Sequence, residues 1–140
     1  MRTINEIVVH CSATEAGKDF GAADIDRWHK AQGWNGIGYH YVVKLDGTIE
    51  KGRDESVVGS HVAGHNANSI GVVYIGGVKG GKPADTRTFA QKASLFKVLS
   101  DLRKKYPKAK ILGHRDFPKV AKACPSFDVG AWLKCNGIDP

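Results

Sequence analysis

His10, His114 and Cys124 are three side chains that could together bind a transition metal. His10 closes a run of β-branched residues, and His114 precedes a polar loop that leads to Cys124. Imidazole nitrogen and thiolate sulfur are ligands that zinc accepts in proteins. Three protein ligands leave the fourth tetrahedral position open to water, and this stoichiometry is typical of a catalytic zinc site.

The spacing of these three residues does not by itself establish a metal site. They lie far apart in the sequence, and no local metal-binding motif such as CxxC or HExxH accompanies them. A histidine in an apolar strand is commonly a hydrogen-bonded core residue, and a buried cysteine usually behaves as a small apolar side chain. On spacing alone, a zinc site and a set of ordinary buried residues both stay open.

The hydrophobic pattern predicts the elements that would position these residues. Runs of β-branched residues indicate strands, and apolar residues at helical spacing indicate amphipathic helices. Asp46-Gly47 favours a two-residue hairpin turn, the pair Thr88 and Gln91 is typical of a helix start, and Ser126 is expected to cap the last helix. The predicted strands are residues 4–12, 39–45, 48–51, 70–75 and 110–113, the predicted helices are 22–32, 88–106 and 126–135, and the predicted loops are 59–68 and 80–83.

The order of these elements predicts an α/β fold. Because no βαβ unit repeats, we expect a single domain over residues 1–140, with a central mixed β-sheet of about five strands flanked by about three helices. A chain of 140 residues is long enough to form one self-sufficient core. Alternation along the first strand would place His10 and Cys11 on opposite faces of the sheet.

The charge balance favours a polyanionic partner without identifying it. The chain has 21 Lys and Arg against 14 Asp and Glu, a formal net charge of +7, which would attract nucleic acid, anionic lipid or cell-wall polymer. The lysines are scattered, and the sequence has no zinc-finger spacing or basic recognition helix. We expect no membrane insertion, because no segment approaches the ~20 apolar residues of a membrane span. Three cysteines without a secretion signal argue against a disulfide framework.

The chain also contains a series of short motifs: Val9-His10-Cys11-Ser12-Ala13-Thr14, Trp28-His29-Lys30, Gly38-Tyr39-His40-Tyr41, Gly59-Ser60-His61, Asn68-Ser69-Ile70-Gly71-Val72, Gly113-His114-Arg115-Asp116 and Lys122-Ala123-Cys124-Pro125-Ser126-Phe127-Asp128. In this order, they strongly resemble the motifs of the type-2 N-acetylmuramoyl-L-alanine amidases. Within that family, the chain is most similar to the small lysozyme-type amidases of T-odd coliphages. The motifs cover nearly the whole chain, so the resemblance is far more specific than any single motif.

The resemblance implies an activity and a set of site residues. The family reaction hydrolyses the amide bond between the lactyl group of N-acetylmuramic acid and the L-alanine of the stem peptide in bacterial peptidoglycan. One zinc ion would be held by the residues that match the family ligands, His10, His114 and Cys124. Catalytic work would fall on Tyr39 and Lys122, either of which could stabilise the tetrahedral intermediate.

Zinc suits this reaction because it polarises a carbonyl and lowers the pKa of bound water toward ~7. The sequence does not divide the remaining work between Tyr39 and Lys122. The loop before Cys124 is slightly longer than we expect for the closest phage relatives, so Lys119 competes with Lys122 for the role that the resemblance implies.

Several loop residues are candidates for contacts with the substrate. One matches a family position, and the others could hydrogen-bond glycan or peptide, although Asn and Ser in loops often bond their own backbone. We expect His40 to have a structural role, and we expect Cys11 and Cys135 to bind no metal. The candidate substrate-binding residues are His61, Arg53, Asn66, Asn68 and Ser69.

Two other functions stay open at this point. A metal-free cysteine hydrolase would use Cys124 as nucleophile and His114 as base, and a non-catalytic module would bind peptidoglycan without cleaving it. Nucleic-acid binding is suggested by charge alone, so we expect the partner to be peptidoglycan and not nucleic acid. We also expect the chain to be a monomer.

The sequence also suggests a cellular setting. The apolar run at the start is too short for a signal-peptide core. We therefore expect synthesis in the bacterial cytoplasm and release to the cell wall through a holin, as for a phage or prophage endolysin. An interbacterial effector or a wall-recycling enzyme would have a similar sequence.

Overall fold

Two β-sheets and three α-helices make up the fold. The computed structural model describes residues 2–118, 120 and 122–140. Within these residues the strands are β1 (Glu6–Cys11), β2 (Thr14–Glu15), β3 (Tyr41–Val43), β4 (Ile49–Lys51), β5 (Ser69–Tyr74), β6 (Gly77–Lys79), β7 (Lys82–Pro83) and β8 (Lys110–Gly113). The helices are α1 (Ala22–Ala31), α2 (Phe89–Lys105) and α3 (Val129–Cys135).

The larger sheet has five strands in the order β4-β3-β5-β1-β8. β1 lies between β5 and β8 and runs parallel to both, while β4 pairs antiparallel with β3. Parallel strands with both faces covered are expected to be apolar throughout, and Ile7, Val8 and Val9 are all fully buried. The prediction of an α/β fold with a mixed five-stranded sheet and three helices is confirmed.

The side chains of β1 divide between the two faces of this sheet. Ile7, Val9 and Cys11 join the larger core, which is completed by residues of α2 and α3. His10 lies on the other face, where its ring packs against Tyr39. The predicted separation of His10 from Cys11 is therefore confirmed. The core under α1, on the His10 side, consists of Ile25, Ile37, Val42, Val73 and Ile75.

The hairpin of β3 and β4 has a different turn from the one predicted. Lys44 N donates to Thr48 O at 2.9 Å, and Gly47 N donates to Lys44 O at 2.9 Å. Gly47 has a φ of +88°, whereas Asp46 is not among the positive-φ residues. The prediction of a two-residue turn is wrong, because a type I turn followed by one left-handed residue closes a three-residue loop.

Two predictions about other loops are also wrong. Asp128, not Ser126, caps α3: its Oδ1 accepts from Ala131 N at 3.0 Å. The Ser126 hydroxyl instead donates to Gly77 O at 3.0 Å. Residues 80–83 are not simply a loop, because β6 and β7 form a hairpin that β2 extends to a three-stranded sheet. Strands of two or three residues are too short to show an alternating pattern.

The start of α2 confirms the predicted capping box. Thr88 Oγ1 accepts from Gln91 N at 3.0 Å, and Gln91 Oε1 accepts from Thr88 N at 2.9 Å. Gln91 is fully buried and also donates to Ile75 O at 2.9 Å, so the cap ties the helix to the sheet. Among the described residues, no helix is both long and apolar enough to cross a membrane.

A polar cluster centred on Glu55 joins the end of α2 to β3. The Glu55 carboxylate accepts from the Tyr41 hydroxyl, from the Tyr106 hydroxyl at 2.6 Å and from Lys105 Nζ at 3.0 Å. Burial opposes ionisation of Glu55, but the hydrogen bonds from Tyr106, Tyr41 and Lys105 outweigh it and lower the pKa below its usual value of 4.5. The ionised carboxylate therefore stabilises the folded state.

We predict that Glu55→Gln lowers the free energy of unfolding by about 1–3 kcal/mol at neutral pH, because hydrogen bonds to a charged acceptor are lost. The folded-state pKa is depressed, so this contribution is complete above the unfolded pKa and is lost as the pH falls through the folded pKa. Urea unfolding at neutral pH and at about pH 3 should show the two proteins converging in acid.

The matched control is Asp101→Asn, which removes an exposed carboxylate paired with Lys97. Surface substitutions of this kind change stability by less than about 0.5 kcal/mol. An equal loss of stability by Glu55→Gln at both pH values would contradict the prediction.

Candidate metal centre

The parallel pairing of β1 and β8 brings His10 and His114 together. The carboxyl ends of parallel neighbours lie at the same edge of a sheet, and the register pairs Val9 with Gly113. His10 follows Val9, and His114 follows Gly113, so the two histidines are the next residues along the chain after this pair. Their ring centroids are 4.6 Å apart. Loops that follow parallel strands at this edge are common positions for binding sites.

Cys124 reaches the same point because the loop after β8 folds back on itself. Arg115 N donates to Cys124 O at 2.8 Å, and Cys11 N donates to Cys124 Sγ at 3.2 Å. The sulfur lies 3.9 Å from His10 Nδ1. One potential ligand atom from each of His10, His114 and Cys124 lies within 4.8 Å of the others. The structure thus brings together the three residues that the sequence singled out.

The surroundings of this cluster keep its imidazoles neutral. Burial, followed by the proximity of His61, His114 and Lys122, lowers the pKa of His10 well below its usual range. Burial and Lys122 also lower the pKa of His114. Neutral imidazoles have a free ring-nitrogen lone pair, which metal coordination requires.

The thiol of Cys124 completes a donor set that fits zinc. A hydrogen bond with the Cys11 side chain, followed by burial, raises the pKa of Cys124 and outweighs the opposing backbone hydrogen bond from Cys11, so the thiol stays protonated when no cation is near. A dication bound beside it would reverse this preference and favour the thiolate. Two neutral nitrogens and one sulfur are ligands that zinc accepts.

Tyr39 lies directly beside the cluster. Its ring centroid is 5.0 Å from that of His10, and burial, with smaller effects of Cys124 and Cys11, raises the pKa of its hydroxyl. The preceding residue, Gly38, packs closely against the backbone of Ser60, because a Cβ on Gly38 would lie 2.1 Å from the backbone oxygen of Ser60. The Tyr39 hydroxyl is therefore a protonated hydrogen-bond donor at neutral pH.

Two hollows adjoin the cluster. The first has a volume of about 430 Å³, and its wall includes His114, His61 and Asn66. The second has a volume of about 350 Å³, and its wall includes Cys124 and the β6–β7 hairpin. The exposed Lys122 lines both hollows. Lys119 lies outside the described residues.

The predicted substrate-binding residues have different surroundings. Arg53 Nε donates to Ile37 O at 2.8 Å and its Nη1 donates to Val58 O at 2.7 Å, while Asn68 Nδ2 donates to Thr3 O at 2.9 Å. Asn66 lines the first hollow, and its Oδ1 accepts from two backbone amides at 2.9 Å each. Ser69 is fully buried beside His61. A substrate role for these residues stays a prediction.

His40 and Trp34 also lie near the site. His40 is buried, accepts from Gly71 N at 3.0 Å and donates to Val57 O at 2.8 Å, which confirms its predicted structural role. Trp34 lines the first hollow and is 40% exposed, although the sequence analysis assigned it no site role. The signal available in the sequence was the Gly33-Trp34 pair directly after the predicted first helix.

The fold and the metal-compatible cluster define a candidate hydrolase domain, and comparison with known proteins identifies its family. The family described as N-acetylmuramoyl-L-alanine amidase matches residues 1–127, and the chain belongs to this family. The resemblance found in the sequence is thereby confirmed.

The relatives include phage endolysins. The chain is 48% identical to the endolysin of Enterobacteria phage K11 over 135 residues, which are 96% of this chain and 88% of that protein. It is 47% identical to the endolysin of Escherichia phage T7 over 133 residues, 94% of this chain and 87% of that protein. Among solved structures, the N-acetylmuramoyl-L-alanine amidase LysC from Clostridium intestinale URNW has a TM-score of 0.82 at 32% identity, covering 96% of this chain and 85% of LysC.

The different exposure of the three cysteines predicts their order of alkylation. Cys135 is exposed, Cys124 is half-buried and Cys11 is buried. Iodoacetamide should therefore modify Cys135 first in the folded protein, and added zinc should slow modification of Cys124 while leaving Cys135 unaffected. Peptide mass spectrometry after timed quenching measures each rate. Modification of Cys124 before Cys135, or a rate at Cys124 that zinc does not change, would contradict this geometry.

Proposed function

We propose that the chain is a zinc-dependent N-acetylmuramoyl-L-alanine amidase. It hydrolyses the amide bond between the lactyl group of N-acetylmuramic acid and the L-alanine of the stem peptide in bacterial peptidoglycan. The observation that carries this proposal is the convergence of His10, His114 and Cys124 within 4.8 Å, in a chain of the amidase family. The two hollows that adjoin the cluster leave room beside it for a substrate.

Charge and relatives support peptidoglycan as the partner. A net charge of +7 attracts an anionic wall polymer over several ångströms of solution. Relatives that share 45–48% identity with the chain carry the name endolysin. We therefore propose a phage or prophage endolysin that is made in the bacterial cytoplasm, reaches the wall through a holin and acts there as a monomer.

In this proposal one zinc ion is held by His10, His114 and Cys124. When bound there, zinc supplies a Lewis acid that polarises the scissile carbonyl and acidifies water. The half-buried cluster limits access of bulk solvent, which strengthens every electrostatic interaction within it. The chain's own residues then have two tasks: to stabilise the charge that develops on the carbonyl oxygen and to deliver a proton to the leaving nitrogen.

Tyr39 and Lys122 are suited to these tasks. The raised pKa of Tyr39 keeps its hydroxyl protonated, so it can donate a hydrogen bond to the developing oxyanion. Lys122 borders both hollows and can place an ammonium group against the same oxygen or against the leaving amine. Both are retained as the proposed catalytic residues.

The surroundings of Cys124 argue against a metal-free cysteine hydrolase. Catalytic cysteines need a depressed pKa, because the thiolate is the nucleophile. At Cys124, the hydrogen bond with the Cys11 side chain and burial raise the pKa instead. A non-catalytic binding module is also less well supported, because all three candidate ligands and both candidate catalytic residues are present.

The first test combines metal content with substrate cleavage. We expect about one zinc per wild-type chain, and release of stem peptides with a free L-alanine amino terminus from purified peptidoglycan. Cys124→Ala should lose both, because it removes a ligand. Exhaustive chelation should abolish cleavage, and zinc should restore it. Atomic absorption and mass spectrometry of the released peptides provide the two measurements.

Cys135→Ala is the matched control, since Cys135 is an exposed residue at the end of α3 and is not one of the three residues of the cluster. It should keep wild-type zinc content and cleavage. Cleavage that survives complete zinc removal would favour the cysteine hydrolase. Zinc binding without any cleavage of peptidoglycan would favour a binding module.

The second test separates the proposed catalytic residues from the metal ligands. Tyr39→Phe and Lys122→Met should each lower kcat by about 10²–10³, because one donor to the developing oxyanion is lost. Zinc content should stay at the wild-type value. Steady-state hydrolysis of a soluble muramyl peptide measures kcat.

Lys134→Met is the control for the loss of one positive charge, because Lys134 is an exposed residue of α3. Its kcat should match that of the wild type. Equal losses in Lys122→Met and Lys134→Met would show that net charge, and not a specific donor, explains the effect.

A further inference from the structure

A hydrogen-bonded chain of three side chains lies behind the cluster. His10 Nε2 is 2.9 Å from His61 Nδ1, and His61 Nε2 is 3.1 Å from Ser69 Oγ. His10 and Ser69 are almost completely buried, with exposed fractions of 1% and 0%. His61 therefore connects a proposed metal ligand to a polar residue at the start of β5.

The geometry restricts how protons are distributed along this chain. His10 Nδ1 faces the Cys124 sulfur at 3.9 Å, so Nδ1 is the nitrogen directed toward the cluster. A neutral imidazole that offers its Nδ1 lone pair carries its proton on Nε2. That proton is then donated to His61 Nδ1, and the proton on His61 Nε2 is donated to Ser69 Oγ. Each imidazole N–H in the chain thus meets an acceptor.

The backbone around His61 is shaped to hold its ring. Gly71 pairs with Val8 of β1, and a Cβ on Gly71 would lie 2.8 Å from His61 Cγ. A Cβ on Gly59 would lie 2.8 Å from His61 Cδ2. Heavy-atom contacts this short are not tolerated, so two glycines leave the space that the imidazole occupies. The position of His61 is a packed feature of the sheet.

We propose that His61 is a positioning residue for the metal ligand His10. By accepting the hydrogen bond from His10 Nε2–H, it fixes the tautomer and the ring orientation that direct His10 Nδ1 to the metal, and Ser69 fixes the tautomer of His61 in turn. Hydrogen bonds of this kind to a ligating histidine typically change metal affinity by 10–100-fold. This inference rests on the proposed zinc site, and it assigns His61 and Ser69 a role distinct from contact with the substrate.

The test measures zinc affinity in the absence of substrate. In competition with a chromophoric chelator, His61→Ala should raise the zinc Kd by about 10–100-fold relative to the wild type. His61→Asn should recover much of the affinity, because its amide oxygen can occupy the position of Nδ1 as an acceptor. Ser69→Ala should weaken binding in the same direction by a smaller factor.

Gly71→Ala provides an independent variant that leaves every hydrogen-bonding group in place. Its new methyl group displaces the His61 ring, so it should also raise the zinc Kd. Cobalt(II) substituted for zinc gives a visible absorption spectrum that reports ligand geometry, and this spectrum should change in His61→Ala. Thermal unfolding of each metal-free variant verifies that it folds.

The matched control is His65→Ala, which removes another imidazole from the same loop. The His65 ring lies within hydrogen-bonding distance of Glu6 and packs against Phe117, and neither contact involves His10. Its zinc Kd and cobalt spectrum should equal those of the wild type.

Three outcomes would overturn the proposal. The first is wild-type zinc affinity in folded His61→Ala. The second is a Kd for His61→Asn that equals that of His61→Ala, which would show that the hydrogen bond does not matter. The third applies if His61→Ala does not fold: it is a wild-type zinc affinity in both Ser69→Ala and Gly71→Ala. A wild-type protein that binds no zinc would instead refute the proposed function itself.

Discussion

The parallel pairing of β1 with both β5 and β8 is the constraint on which the candidate site depends. It places the carboxyl ends of three strands at one edge of the sheet. His10, the penultimate residue of β1, lies level with His114, which directly follows β8. At the same edge, Cys11 N donates a hydrogen bond to the Cys124 sulfur. A shift of one residue in either register would turn His10 to the opposite face and separate the cluster.

Burial then decides the chemical state of the residues gathered there. Removal from water lowers the pKa of His10 and His114 and raises that of Tyr39. The same cause therefore yields neutral imidazoles with free lone pairs and a protonated hydroxyl that can donate. Because burial of uncompensated charge is costly, a neutral donor set of this kind is stable without a cation and is ready to accept one.

The sheet also explains why the neighbourhood of the site contains so many histidines. His61 packs against Gly71 and hydrogen-bonds His10, while His40, the residue before β3, accepts a hydrogen bond from Gly71 N. Gly59 leaves room for both rings, because a Cβ there would lie 2.8 Å from His61 Cδ2 and 2.9 Å from His40 Cε1. The two rings have different roles. His40 hydrogen-bonds the backbone of β5, and His61 hydrogen-bonds His10 of the cluster.

The sequence by itself determined the element types, the α/β class and, through its motifs, the family, because hydrophobic periodicity and capping pairs such as Thr88 and Gln91 act over a few residues. It misassigned the cap of α3 and missed β2, β6 and β7, since short strands and isolated turns carry little local signal. The resemblance implied that His10, His114 and Cys124 share a site, but only the tertiary structure decided that they meet and that His61 and Ser69 lie behind them. These contacts join distant segments, and strand register and close packing, not spacing along the chain, determine which side chains touch.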